Sequence, residues 1–140
     1  MRILADENIT AVREHFASHG DVLTVPGRSI DAAMLRDCDA LLVRSVTRVT
    51  PDLLNGSRCR FVASATSGTD HLDLEGLAKA GITATWAAGC NAVSVVDYVL
   101  SVLAALTPID GRHWRECSVG VIGCGIIGSA LVQRLLRLDR

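Results

Sequence analysis

The chain has 140 residues and a formal net charge of −1; 49% of its residues are hydrophobic and 4% are aromatic. This length predicts one domain, and a composition rich in Ala, Val and Leu favours parallel strands covered by helices. The balanced charge, without runs of like charge, argues against nucleic-acid binding, and the N-terminal segment predicts a strand rather than a signal peptide.

Short strands and helices alternate through the first 90 residues. Apolar runs predict strands at Arg2–Ala5, Asp21–Val25, Ala40–Val43, Phe61–Ser64 and Ile82–Thr85. Helical spacing and capping residues predict helices at Thr10–Ser18, Asp31–Arg36, Pro51–Leu54 and Leu74–Ala80. This alternation predicts an α/β fold with a parallel, doubly wound sheet.

A different pattern follows from residue 91. The apolar stretch up to Leu106 predicts a long buried helix, and it is shorter than the about 20 residues of a membrane span. A polar linker is predicted at Pro108–His113. A further strand is then predicted at Ser118–Ile122, followed by a helix at Ile126–Leu138.

A glycine-rich segment joins the strand predicted at Ser118–Ile122 to the helix that follows it. Gly123, Gly125 and Gly128 form a G-x-G-x-x-G pattern, which is the dinucleotide-binding fingerprint when it stands between a strand and a helix. In that interpretation Gly123 permits a tight turn, Gly125 lets the backbone approach a pyrophosphate, and Gly128 allows close packing of helix and strand. A packing turn without a ligand is the alternative.

Three polar clusters follow predicted strands, at 44–47, 65–71 and 87–91. Ligands in open parallel sheets bind at the carboxyl ends of strands. The hydroxyls and backbone N–H groups of Thr66, Ser67 and Gly68 suit a carboxylate or phosphate oxygen. Ser45 is expected to reach the same anion, and Arg44 offers a fixed positive charge. Ordinary solvated loops are the alternative.

Other reactive side chains give weaker signals. His71 lies in the second polar cluster without an obvious orienting partner, so a structural role is preferred to that of a general base. His15 and His19 stand four residues apart but lack a third ligand, and no metal site is predicted. The odd number of cysteines, five, predicts reduced thiols rather than disulfides. Asp97 is expected either to pair at a subunit or domain contact or to face solvent.

Several strings together resemble a known family. Residues 2–8 (RILADEN), 25–28 (VPGR), 42–47 (LVRSVT), 65–71 (ATSGTDH) and 89–92 (GCNA) resemble the N-terminal part of the erythronate-4-phosphate dehydrogenases. These enzymes are D-isomer-specific 2-hydroxyacid dehydrogenases. The resemblance extends over essentially all 140 residues.

The resemblance implies a two-domain enzyme. Residues 1–90 correspond to a flavodoxin-like substrate domain, 91–116 to a connecting helix and linker, and 117–140 to the start of a Rossmann NAD-binding domain. It also implies that Ser45 and Thr66 contact substrate. The glycine turn, including Ile126 and Ile127, would contact NAD.

The implied reaction is the oxidation of 4-phospho-D-erythronate by NAD to its 2-oxo acid, (R)-3-hydroxy-2-oxo-4-phosphooxybutanoate, on the route to pyridoxal 5′-phosphate. The implied enzyme is a cytoplasmic homodimer. The catalytic Arg, Glu and His of the family are expected beyond residue 140, so this chain alone is predicted to be inactive. A related enzyme such as a phosphoglycerate dehydrogenase, or a non-catalytic binding module, remains as the alternative.

Overall fold

The computed structural model describes residues 1–110 and 116–138 of the chain. It divides into two compact units, Met1–Ala88 and Gly89–Arg140. The first unit contains five strands and three short helices, and the described part of the second contains two longer helices.

A five-stranded parallel sheet forms the frame of the first unit. Its strands are β1 (Arg2–Asp6), β2 (Asp21–Val25), β3 (Ala40–Val43), β4 (Phe61–Ser64) and β5 (Thr83–Trp86). Their spatial order is β2-β1-β3-β4-β5, which is the flavodoxin-like order with its switch point between β1 and β3. The predicted α/β class is confirmed.

Capping side chains fix the ends of two of the three short helices, α1 (Val12–Phe16), α2 (Ala32–Leu35) and α3 (Leu74–Lys79). The Asp31 carboxylate accepts a bond from the Met34 N–H before α2, and Asp73 accepts one from the Gly76 N–H before α3, both at 2.9 Å. After α3 the chain turns at Gly81, whose φ of 72° favours glycine.

Both faces of the sheet are buried, as parallel strands covered by helices require. On one face Leu41 packs in a cluster with Leu35 of α2 and Leu77 of α3, all 0% exposed. On the other face Leu42 packs with Val12 of α1. Because successive residues of a strand point to opposite faces, the apolar run of β3 supplies both clusters.

The second unit contains α4 (Ala92–Asp110) and α5 (Ile126–Leu138). The α5 bounds are as predicted. The buried environment predicted for α4 holds for part of the helix only: Ala92 and Val96 are buried, whereas Val93 is 67% and Tyr98 69% exposed. Within the described ranges no helix has the length and apolarity that crossing a membrane demands.

The linker predicted at Pro108–His113 is wrong over its first three residues, which continue α4. A proline inside a helix removes one backbone hydrogen bond and often kinks or ends the helix, but here α4 continues through Pro108. Residues 111–113 of that prediction lie outside the described residues.

Other elements of the first unit also differ from the sequence prediction, most of them by one or two residues at an end. Residues 51–56 form successive turns instead of a helix, since their backbone bonds span three residues and Gly56 has a φ of 75°. Helix α1 begins at Val12 rather than Thr10, because Ala11 has a left-handed φ of 55°. The last strand of the sheet is shifted by one residue toward the C-terminus.

The strand predicted at Ser118–Ile122 is also wrong. These residues are outside any helix or strand, and among the described residues they join no ladder. A β-strand exists through hydrogen bonds to a neighbouring strand, and the second unit offers none in the described residues.

Leu41 tests the two-sided core. Leu41→Ala is expected to lower the free energy of unfolding by about 2–5 kcal/mol, because it opens a cavity in the central strand. Leu23→Ala on edge strand β2, where the side chain is 51% exposed, is the matched control and is expected to cost under about 1 kcal/mol. Urea unfolding followed by circular dichroism measures both, and equal losses would contradict the packing described for β3.

Candidate functional site

The carboxyl ends of β1, β3 and β4 lie at one edge of the sheet because the strands are parallel and adjacent. The β3–β4 ladder ends with the pair Val43 and Ser64, and the Ala65 N–H then donates to the Val43 carbonyl at 2.9 Å. Ser45 and Thr66 each stand two residues beyond that last pair. Two of the three predicted polar clusters therefore leave the sheet side by side.

A buried ion pair stabilises the first of these loops. Asp6, the last residue of β1, is 0% exposed, and its carboxylate lies 3.0 Å from Arg44 Nε and 3.4 Å from Arg44 Nη2. The same carboxylate accepts a bond from the Asn8 N–H at 2.9 Å. Two nitrogens of the guanidinium are thus directed into the protein rather than toward a ligand.

Gly27 makes this arrangement sterically possible. A Cβ at this position would lie 2.3 Å from the Asp6 carboxylate and 2.9 Å from the Val46 side chain. The buried Thr47 hydroxyl donates to the Gly27 carbonyl at 2.8 Å. The end of β1, the turn after β2 and the loop after β3 therefore pack as one assembly.

A buried hydrogen-bond chain supports the second loop. Ser64, the last residue of β4, has its Oγ 2.8 Å from Thr66 Oγ1 and 2.8 Å from His71 Nε2. Thr66 Oγ1 also lies 3.5 Å from the Gly68 carbonyl oxygen. The backbone N–H of Ala87, after β5, donates to the carbonyls of Ser64 and Thr66 at 3.1 and 3.2 Å.

His71 is held at the inner end of that chain. Its side chain is buried, and burial lowers its pKa although the nearby Asp70 carboxylate opposes the shift. Its carbonyl accepts a bond from the Val49 N–H at 2.8 Å. The lowered pKa favours the uncharged imidazole. The orienting partner that the sequence analysis did not find is Ser64.

The predicted anion-binding residues occupy these two loops. Ser45 and Gly68 are exposed, while Arg44, Thr66 and Ser67 are half-buried. A Cβ at Gly68 would meet nothing within 4 Å, so its backbone is open to approach. Their role in binding remains a prediction.

Asp6, Gly27 and Ser64 were missed as functional residues. A charged residue ending an otherwise apolar strand was the available signal for Asp6. Gly27 was interpreted as a turn signal after β2, and Ser64 as the end of a strand. Nothing in the local sequence shows that these positions meet residues of other loops.

The glycine turn of the second unit has the local geometry expected of its pattern, but the strand expected before it is absent from the described residues. Gly123 has a φ of 90°, and a Cβ at Gly128 would lie 1.9 Å from the Gly123 carbonyl oxygen. Around Gly125 a Cβ would meet nothing within 4 Å. The Ser129 N–H donates to the Gly125 carbonyl at 2.9 Å and begins the bonding of α5. Both Gly125 and Ile126 are exposed, whereas Ile127 is half-buried.

The structure also places the residues that gave weaker signals in the sequence. Asp97 on α4 pairs with Arg134 on α5 of the same unit at 3.6 Å, and its side chain is 58% exposed, so it forms an ion pair and also faces solvent. His15 and His19 are exposed on and beside α1, and in residues 1–110 and 116–138 no three His, Cys, Asp or Glu side chains form a metal-binding group. The five cysteines, all described, form no disulfide.

Comparison with known proteins links these features to a family. The family model "D-isomer specific 2-hydroxyacid dehydrogenase, catalytic domain" matches residues 3–129. The erythronate-4-phosphate dehydrogenase of Chromohalobacter salexigens is 54% identical over 139 residues, or 99% of this chain. That of Pseudomonas fluorescens is 53% identical over 135 residues, or 96% of this chain. The chain spans 36% of the length of each of these curated relatives. The resemblance inferred from the sequence motifs is confirmed.

Solved structures share the fold. D-lactate dehydrogenase from Aquifex aeolicus, complexed with NAD and lactic acid, matches with a TM-score of 0.76 and 19% identity, covering 99% of this chain and 49% of that one. The NAD⁺-bound 3-phosphoglycerate dehydrogenase of Entamoeba histolytica matches with a TM-score of 0.68 and 17% identity, covering 99% and 51%.

The Asp6–Arg44 pair predicts an asymmetry between its two members. Arg44→Met leaves a fully buried carboxylate without its cation and is expected to lower the free energy of unfolding by about 3–5 kcal/mol. Asp6→Asn leaves a guanidinium that is 33% exposed, and because water can reach it the expected loss is about 1–3 kcal/mol. Urea unfolding of the two variants measures the difference.

The control for this pair is Asp37→Asn. Its carboxylate is 68% exposed and lies 3.6 Å from Arg2, so the expected change is within about 0.5 kcal/mol. A larger loss in Asp6→Asn than in Arg44→Met would show that Asp6 is not the more desolvated partner.

The glycine segment gives a second stability prediction. Gly128→Ala forces a Cβ against the backbone of Gly123 and is expected to raise the hydrogen-exchange rates of the α5 amides by about tenfold or more. Gly125→Ala, where the space is open, is the matched control and should leave those rates within about twofold, since an exposed substitution costs about 0.5 kcal/mol or less. Similar exchange in both variants would refute the close contact at Gly128.

Proposed function

The chain belongs to the D-isomer-specific 2-hydroxyacid dehydrogenase family, and from that premise we propose that it is the N-terminal part of an enzyme that oxidises 4-phospho-D-erythronate with NAD. The product is (R)-3-hydroxy-2-oxo-4-phosphooxybutanoate, a 2-oxo acid used in pyridoxal 5′-phosphate biosynthesis. The observation that carries the proposal is the pair of hydroxyl-bearing loops leaving adjacent strand ends at Ser45 and Thr66. Relatives named for this reaction at 50–54% identity support the choice of substrate.

The two loops suit a small anionic substrate. The exposed Ser45 hydroxyl, the Thr66 hydroxyl and the open backbone at Gly68 provide hydrogen-bond donors without bulk. We assign Ser67 to the same set of contacts. Arg44 contributes a positive charge, while its bonds to Asp6 fix the position of the loop that carries Ser45.

The glycine segment fits a dinucleotide. The turn at Gly123, the open space above Gly125 and the close approach at Gly128 are the three features that a pyrophosphate-binding loop requires. The backbone around Ile126 and Ile127, at the N-terminus of the 13-residue helix α5, would face the phosphates with its positive dipole end. When bound, NAD supplies the hydride acceptor for the oxidised carbon.

The chain alone is proposed to lack dehydrogenase activity. In the family that it belongs to, the resemblance assigns the catalytic Arg, Glu and His to positions after residue 140. Within this chain we propose a substrate domain at 1–90, a connecting helix and linker at 91–116, and the start of the NAD-binding domain at 117–140. The complete enzyme is proposed to be a cytoplasmic homodimer.

A chimaeric enzyme tests which substrate is oxidised. This chain replaces the corresponding N-terminal part of the Chromohalobacter salexigens enzyme, and NADH formation is measured with 4-phosphoerythronate and with 3-phosphoglycerate. We expect a higher kcat/KM for 4-phosphoerythronate. Ser45→Ala and Thr66→Val should each lower it about 10- to 100-fold, the effect of losing one hydrogen bond to a charged group.

Thr83→Val is the control for the two hydroxyl substitutions, because Thr83 is exposed at the opposite end of a strand. Its kcat/KM should be unchanged. A preference for 3-phosphoglycerate would favour the phosphoglycerate dehydrogenase alternative. Failure of both substrates in a folded chimaera would favour a non-catalytic module, and NADH formation by the 140-residue chain alone would contradict the assignment of its missing catalytic groups.

A further inference from the structure

The hydrogen bonds that link His71, Ser64 and Thr66 must all run in one direction or in the other. Among the described residues, the Ser64 hydroxyl has two side-chain partners, Thr66 Oγ1 and His71 Nε2, both at 2.8 Å. A serine hydroxyl has one proton to donate. When it donates to one partner, the other partner must donate to it.

Two arrangements follow from this count. If His71 carries its proton on Nδ1, Nε2 accepts from Ser64, Ser64 accepts from Thr66, and the Thr66 proton points inward. If His71 carries its proton on Nε2, Nε2 donates to Ser64, Ser64 donates to Thr66, and the Thr66 proton points away from the chain. A neutral imidazole can adopt either form.

The two arrangements differ in what Thr66 offers to a ligand. In the first, the outward side of the hydroxyl presents lone pairs, which repel an anion. In the second it presents a proton, whose partner in this structure is the Gly68 carbonyl at 3.5 Å. That distance is long for an O–H···O bond, so an anionic oxygen would be a much better acceptor.

We propose that His71 is a positioning residue for anion binding: acting through Ser64, its Nε2–H tautomer turns the Thr66 hydroxyl outward, and an anion bound at Thr66 selects that tautomer. The inference rests on the proposed function, which makes Thr66 a substrate contact. It adds His71, which does not contact the substrate but sets the direction of the Thr66 hydroxyl proton that would.

The surroundings of His71 favour this role over catalysis. Its side chain is buried, and burial lowers its pKa, so the neutral ring is favoured and its tautomer can respond to its hydrogen-bond partners. The Ala87 N–H bonds to the carbonyls of Ser64 and Thr66 tie the backbone of these two residues to the residue that follows β5. A change at the imidazole reaches the loop through the Ser64 and Thr66 hydroxyls.

Nitrogen NMR of the chain labelled at the histidine rings tests the proposal directly, because protonated and unprotonated ring nitrogens resonate far apart. The chain is titrated with 4-phosphoerythronate, and with uncharged erythritol as the control. We expect His71 to be in the Nε2–H form in the phosphoerythronate-bound state and its spectrum to be unaffected by erythritol. An Nδ1–H form in the bound state overturns the inference.

Substitutions give an independent readout. His71→Gln keeps an N–H donor able to reach Ser64, whereas His71→Leu removes it. The Gln variant should therefore bind 4-phosphoerythronate within about threefold of the parent affinity. The Leu variant should bind it about tenfold or more weakly, because the Thr66 hydroxyl no longer has a donor behind it that directs its proton to the charged ligand. Circular dichroism establishes that both variants are folded. Ser64→Ala is expected to abolish the response of the His71 tautomer to the ligand.

The outcomes separate this inference from the proposed function. If 4-phosphoerythronate binds and Thr66→Val weakens binding, but His71→Gln and His71→Leu bind equally well, the positioning role is refuted while the substrate site stands. If Thr66→Val leaves binding unchanged, both are refuted; if the isolated chain binds no 4-phosphoerythronate, the same titration of the chimaera decides both. If neither His71 variant folds, the tautomer in the bound state of the parent chain decides alone.

Discussion

The buried carboxylate of Asp6 is the constraint around which the candidate site is arranged. A charge with 0% exposure is costly to remove from water and must be balanced by a cation and by hydrogen bonds. Arg44 and the Asn8 N–H provide them, and Gly27 leaves the room that the carboxylate needs. The loop after β3 is therefore fixed by the requirements of a residue at the end of β1.

That constraint changes the role of Arg44. As a lone residue in a polar loop, it was interpreted as a direct ligand for an anion. In the structure two of its nitrogens face Asp6, so its first effect is structural. In the proposed site the hydroxyls of Ser45 and Thr66 would contact the anion, and a rigid loop suits that role because a preorganised donor loses little entropy on binding.

The sequence predicted what depends on local pattern and missed what depends on distant pairing. The bounds of β2, β3 and β4 were predicted because apolar runs and turn residues mark them. The Asp6–Arg44 pair joins residues 38 positions apart, and no local rule connects them. The turns at 51–56 and the left-handed Ala11 were missed for a related reason: capping residues indicate where a helix can begin, whereas its continuation depends on bonds that the surrounding packing decides.

In the G-x-G-x-x-G segment, the structural reasons for the individual glycines can be distinguished from a role in ligand binding. Folding alone accounts for Gly123, because its φ of 90° disfavours side chains, and for Gly128, because a Cβ would strike the backbone. It does not account for Gly125, whose φ is not positive and whose Cβ would meet open space. Packing within the described residues accounts for two of the three glycines, and the open backbone at Gly125 is the position that the proposed dinucleotide contact would use.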